Sequence, residues 1–200
     1  MGSGYHIDKD RFQTVLKVNI AVFIAEILAG YSSGSLSMIS DSFHVSLHVF
    51  ASLVAIVSEY EFLGINSEKI KFWSAVTNIA LFFPLAYLIA IEAYRRWQTP
   101  PILDLTPTYF LIAFLGLVAN LYTVFILPSK KDNHTNKNVW ILRIHMIFDS
   151  IGSIIVIGGA FEILRTGNYF IDPVSSMILA GLIILVAIWM SWEIIHGHNH

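Results

Sequence analysis

Six stretches of roughly twenty mainly apolar residues, parted by short polar breaks, constrain this chain more than any other feature. They fall at 12–29, 36–58, 72–94, 109–127, 139–164 and 172–195. A helix needs roughly 20 apolar residues to cross a hydrocarbon core. Only 13% of the residues are charged, against about 25% in soluble domains. The expected fold is an all-α membrane protein: one transmembrane domain over 1–200, a bundle of six helices. No soluble C-terminal domain is expected, since only a short tail follows the sixth run. The breaks carry turn formers: Gly30-Tyr31-Ser32-Ser33-Gly34, Pro100-Pro101, Pro128 and Thr166-Gly167-Asn168. Asp172-Pro173 reads as a helix start, with Asp as cap and Pro at the first helical position.

Orientation follows from the basic residues near the helix ends. Lys9, Arg11, Lys69, Lys71, Lys130, Lys131 and Lys137 gather on one side, and Arg95, Arg96 and Arg165 on the other. The side richer in Lys and Arg is cytoplasmic. Both termini are therefore expected in the cytosol, in a multi-pass protein of a cell membrane of the prokaryotic cytoplasmic type. No cleavable signal peptide is apparent. A net charge of -2 gives no hint of a nucleic-acid partner. The chain has no cysteine, so any metal here is held by nitrogen and oxygen.

Within the apolar runs stand two four-residue spacings: His44 with His48, and His145 with Asp149. Four residues is about one helical turn, so each pair projects from one face. Counting about 1.5 Å per residue, His44 and His48 lie about 12 and 18 Å from the outer end of the second span. His145 and Asp149 lie about 9 and 15 Å from the inner end of the fifth. Both pairs thus arrive near the middle of a core about 30 Å thick. Ionisable groups at that depth are costly and face a bundle interior or a water-filled cavity. Three imidazoles and one carboxylate suit a divalent transition metal of the zinc type. The ion is expected as a transported substrate, not a resident cofactor. No organic cofactor is implied, and nothing reads as an enzyme's catalytic constellation. Co²⁺, Ni²⁺, Cd²⁺, Fe²⁺ and Mn²⁺ are alternative ions, with nitrogen-rich ligation arguing against Mn²⁺.

Metal binding needs neutral imidazole, and histidine titrates near neutral pH, so metal should displace protons and protons metal. That linkage is what a metal/proton exchanger requires. Rival readings are interhelical hydrogen bonding by the histidines, a haem-binding electron carrier, and a metal sensor that does not transport. A Soret band would decide for haem.

Asp41, three residues before His44, is expected either to orient it or to sit in an outer vestibule. Asn19, Asn78 and Asn120 read as interhelical hydrogen bonds. Asn19, Asn120 and Glu26 are candidates for the ion path. Glu26 and Glu92 either steer cations or lie near helix ends. Arg95 and Arg96 are expected to snorkel to headgroups. Gly152, Gly158, Gly159 and Gly181 suit close helix packing. The Lys130–Lys137 run with His134 reads as a solvated loop, and His196, His198 and His200 as a weak metal-gathering tail.

These residues give a resemblance that runs through nearly the whole chain. The stretch from Gly34 to His44 (GSLSMISDSFH), Asn78, Glu92-Ala93, Pro100-Pro101, Gly116 to Asn120 (GLVAN), His145 to Ser153 (HMIFDSIGS) and Asp172-Pro173 resemble the cation diffusion facilitator family of metal transporters. The resemblance implies a six-helix transporter, typically a homodimer, exporting divalent metal in exchange for protons. It implies His44, His48, His145 and Asp149 as the transport site. Where the family usually has Asp, this chain has His48, which leaves a bound Zn²⁺ with a net charge of +1. The effect on pH dependence has a defined sign. An imidazole is lost as a ligand when pH falls through its ordinary value near 6.5, a carboxylate only near 4. In His48→Asp, metal affinity measured between pH 7.5 and 5.5 should fall less steeply than in wild type, by about one proton per metal.

Overall fold

Each apolar run forms one helix, since a backbone in lipid must satisfy its own hydrogen bonds. The computed structural model describes residues 3–59, 67–126 and 137–196. Side chains are described over 13–47, 49–50, 53, 73, 76–126 and 143–193. The helices are α1 Ser3–Ser33, α2 Leu36–Glu59, α3 Ser67–Gln98, α4 Pro107–Ile126, α5 Lys137–Thr166 and α6 Ile171–His196. Among the described residues five contain a stretch long and apolar enough to cross a membrane: Gln13–Ser33, Val76–Gln98, Pro107–Ile126, Arg143–Thr166 and Ile171–Glu193. α2 is 24 residues long, and most of its side chains after 47 lie outside the described residues. So do Pro128, Lys130, Lys131, His134, His198 and His200, and the side chains of Lys9, Arg11, Lys69, Lys71, Lys137 and His196.

Most of the helices overrun the apolar runs, most clearly α1, which extends to both sides of 12–29, and α3, which extends to both sides of 72–94. Hydropathy marks the width of the hydrocarbon, whereas helical hydrogen bonding continues until a residue breaks it. Gly34 (φ 75°) and Gly167 (φ 69°) supply two of those breaks in the left-handed conformation. The Gly167 N–H closes α5 on the Ile163 carbonyl at 2.8 Å.

α1, α2, α5 and α4 pack as a ring: α1 lies against α2 and α4, α4 against α5, and α2 touches α5. α3 and α6 form a pair laid across this ring, α3 on α2 and α6 on α5 and α2. One apolar cluster joins Ala29, Met38, Tyr109, Ala113, Val156, Ala160 and Leu179, binding the ring together. A second joins Ile79, Phe82, Ala86 and Ile89 of α3 to Ala180, Ile183 and Ala187 of α6. Polarity runs the opposite way from a soluble protein. Leu28, Phe125, Leu164 and Trp192 are exposed, while Ser40, Ser42, Ser150, Ser153, Ser175 and Ser176 are buried. Their small side chains let helices approach. Several satisfy their own hydroxyls on the preceding turn, as Ser40 does on the Leu36 carbonyl at 2.7 Å.

The expected glycine packing holds at two of four positions. A Cβ on Gly159 would stand 2.6 Å from Ser175 Oγ, and one on Gly152 would stand 3.2 Å from Leu179 Cδ2. At Gly158 and Gly181 it would meet nothing within 4 Å.

The start of α6 differs from the expectation. The helix already includes Ile171, and the Asp172 carboxylate caps a different helix, α2. It accepts from the Leu36 N–H at 2.8 Å, the Ser37 N–H at 3.1 Å, and the Ser35 and Ser37 hydroxyls at 2.8 Å each. The N-termini of α2 and α6 meet here, and one negative charge serves the positive ends of both dipoles. Arg96 also departs from snorkelling: its guanidinium turns inward, donates to the Gly34 carbonyl, and lies 3.9 Å from Asp172 Oδ2. Glu92 holds Arg95 and Arg96 at 2.6–2.8 Å, a helix-end ion cluster and not an ion path. Only Arg95 stays exposed. Each charged hydrogen bond contributes about 1.5–3 kcal/mol, and the stranded donors add a penalty. Asp172→Ala should therefore destabilise the fold by about 3 kcal/mol or more, read as a lowered unfolding midpoint in detergent, with exposed Asp104→Ala as control.

Candidate metal centre

His145 and Asp149 sit one turn apart on α5, and His44 faces them from α2. All three are buried, at 2%, 2% and 6% exposure. His44 Nε2 and Asp149 Oδ1 are hydrogen-bonded at 2.7 Å, and His145 Nε2 lies 3.7 Å from the same oxygen. The His44 and His145 ring centroids are 5.2 Å apart. One ligand atom from each of the three falls within 4.8 Å of the others. Ligands about 2.1 Å from a tetrahedral ion stand roughly 3.4 Å from one another. The separations of 2.7 and 3.7 Å straddle that value, and all three ligand atoms fall within 4.8 Å, so the group is close to the spacing an ion requires. The donor set is nitrogen and oxygen, as zinc-type ions prefer. His48 is on α2 one turn beyond His44, and its side chain lies outside the described residues.

A cleft of about 20 Å³, room for about one water or ion, opens beside these groups. It is lined by Ser40, Asp41, His44, Asp149 and Gly152 on one side and by Leu179, Ile183 and Val186 of α6 on the other. Phe82 of α3, fully buried, packs on both imidazoles, with its ring 5.3 Å from His44 and 5.7 Å from His145. Phe82 left no signal in the sequence: it is one phenylalanine among 14.

The outlying candidates divide. Asp41 lines the cleft, and its Oδ2 accepts from Ser153 Oγ at 3.2 Å. Among the described residues no hydrogen bond joins Asp41 to His44. Asn120 Nδ2 in turn donates to Ser153 Oγ at 3.3 Å. This links α4, α5 and α2 in one line and gives Asn120 the interhelical bond expected of it. Gly152 keeps room for Asp41, whose Oδ1 would be 3.4 Å from a Cβ there. Asn19 Nδ2 and Asn78 Oδ1 are buried without a hydrogen-bond partner among the described residues, unlike the expected interhelical bonds. Glu26 is buried on α1 against Gly116 of α4 and does not join the three-residue group.

Residues 13–196 match the model of the cation efflux transmembrane domain. The chain belongs to the cation efflux family. Its cation diffusion facilitator relatives include the cadmium, cobalt and zinc/H(+)-K(+) antiporter of Bacillus subtilis, 29% identical over 168 residues, which covers 80% of this chain and 54% of that protein. The metal cation efflux system protein CzcD of Cupriavidus metallidurans is 30% identical over 202 residues, covering 95% and 63%. The zinc transporter ZitB of Yersinia pestis is 28% identical over 197 residues, covering 95% and 61%. The chain thus spans between 54% and 63% of the length of these three relatives.

Ser153 donates to Asp41, which lines the cleft, and is not one of the three converging residues. Groups hydrogen-bonded around a metal site change its affinity about 10- to 100-fold. Ser153→Ala should weaken zinc binding about tenfold by calorimetry, while shifting stability by only about 1 kcal/mol.

Proposed function

We propose that this protein exports a divalent transition metal, zinc foremost, from the cytosol in exchange for protons. The ion is held by His44, His48, His145 and Asp149 near the bilayer midplane. The observation that carries this reading is the convergence of His44, His145 and Asp149, buried on two helices, to within 4.8 Å. Membership of the cation efflux family supports it, and so do the relatives' names: one a cadmium, cobalt and zinc antiporter, another a zinc transporter. Ligation by nitrogen and oxygen accommodates Zn²⁺, Co²⁺ and Cd²⁺ and disfavours Mn²⁺. The site lies between the four-helix ring and the α3–α6 pair, the position from which alternating access exposes a fixed site to each side in turn.

Proton exchange follows from ligand chemistry. His44 Nε2 carries a proton when it bonds Asp149, and a metal at that nitrogen must replace it. Lower pH on the far side releases metal there, and higher pH in the cytosol favours loading. A homodimer formed through membrane helices, with both termini cytosolic, belongs to the same proposal; single-molecule photobleaching in bilayers counts its subunits.

Proteoliposomes containing a pH dye and a zinc dye test the reading directly. Wild type should couple zinc flux to an opposing proton flux. His145→Ala and Asp149→Ala should lose at least about 90% of it, a tenfold drop being the low end for a disturbed metal site. Zinc flux in either variant equal to wild type would remove the site from the proposal.

A further inference from the structure

Among the described residues, Glu26 is the one acidic side chain buried in the centre of the bundle that the site above does not use. Its exposure is 2%, and no salt bridge reaches it among the described residues. Oε2 has no hydrogen-bond partner there. A Cβ on Gly116 would collide with Oε1, so the carboxyl is seated in a notch of α4 that only glycine leaves open. Two turns along the same face of α1, Asn19 Nδ2 is buried without a partner as well.

Among the described residues no Lys or Arg interacts with Glu26. α4 contains no Asp, Glu, His, Lys or Arg; its titratable groups are Tyr109, buried, and Tyr122, exposed. Asp41 of α2 and Asp149 of α5 interact with Glu26 electrostatically as like charges. On α1 itself, Lys17 and Tyr31 point outward. A bare carboxylate in such a place costs several kcal/mol or more, whereas the acid form is tolerated. A line of hydrogen bonds to the candidate metal centre begins one turn from the seat. Asn120 stands one turn from Gly116 on the same face of α4. From it the bonds run through Ser153 to Asp41, which lines the metal cleft.

We propose that Glu26, on Gly116, is a second proton-carrying site of the exchange, separate from the metal ligands. When the ion's positive charge arrives beside Asp149, the like-charge repulsion on Glu26 falls. The O–H bond then breaks, its electron pair stays on the carboxylate, and the proton passes to water. The inference rests on the proton-exchange reading above and adds one proton to each metal exchanged.

Two measurements on the purified full chain test it. In weak buffer, a pH dye counts protons released per zinc bound; Glu26→Gln should release one fewer than wild type. Infrared difference spectra of wild type carrying isotope-labelled glutamate should show a protonated-carboxyl band disappearing as zinc is added, and Glu26→Gln should lack it. The spectrum needs no variant, so a misfolded Glu26→Gln does not spare the proposal. Equal proton counts, or no glutamate band that responds to zinc in wild type, overturn it. If wild type binds zinc and releases no protons at all, the exchange reading falls too. If wild type releases protons and Glu26→Gln releases as many, only the role of Glu26 falls.

Discussion

The Asp172 carboxylate decides where α2 begins, and the rest of the bundle takes its register from that point. Four donors at Ser35, Leu36 and Ser37 converge on it, so the first turn of α2 cannot slide or fray without stranding them in an apolar setting. His44 follows eight residues later, about 12 Å down the axis. A slip of α2 by one residue would rotate His44 by about 100° and remove it from α5. Arg96, drawn to the same corner from α3, binds the second layer to the first. The depth and facing of the candidate metal centre are thus set at the start of α2.

The interior is the costly part of this molecule. In lipid, apolar side chains gain little by packing against each other instead of against acyl chains, so close fit and internal hydrogen bonds have to hold the helices. Serines along α2, α5 and α6 and Gly152 and Gly159 provide the fit. The polar groups that remain are tied in short chains: Asn120 to Ser153 to Asp41, and His44 to Asp149. These chains cross from helix to helix where the ring meets the α3–α6 pair, so the groups that stabilise the bundle are also those an ion would meet.

The spans were legible because hydropathy needs no partner to be read: a run of twenty apolar residues is a helix in lipid whatever lies beside it. The pairing of His44 with the His145–Asp149 turn was legible too, because topology and a rise of about 1.5 Å per residue fix depth. Facing is another matter. Asp172 looks like the cap of its own helix in one dimension, and only the adjacency of two N-termini makes it the cap of α2. Arg96 has the sequence context of a snorkelling residue, but the Gly34 carbonyl and Asp172 lie nearer than the headgroups. Gly158 and Gly159 are indistinguishable in sequence, yet only one meets α6. Phe82 is an ordinary apolar residue until α3 lays it on two imidazoles.

The contact between His44 and Asp149 bears on the proposed exchange. A proton between His44 Nε2 and Asp149 Oδ1, 2.7 Å apart, spares the bilayer a bare carboxylate. A divalent ion at the same place must take the lone pair on His44 Nε2 and the Oδ1 acceptor together, so ion and proton are alternatives at one pair of atoms. In the proposed cycle that competition couples ion to proton at the ligands themselves, without a separate gate that senses loading.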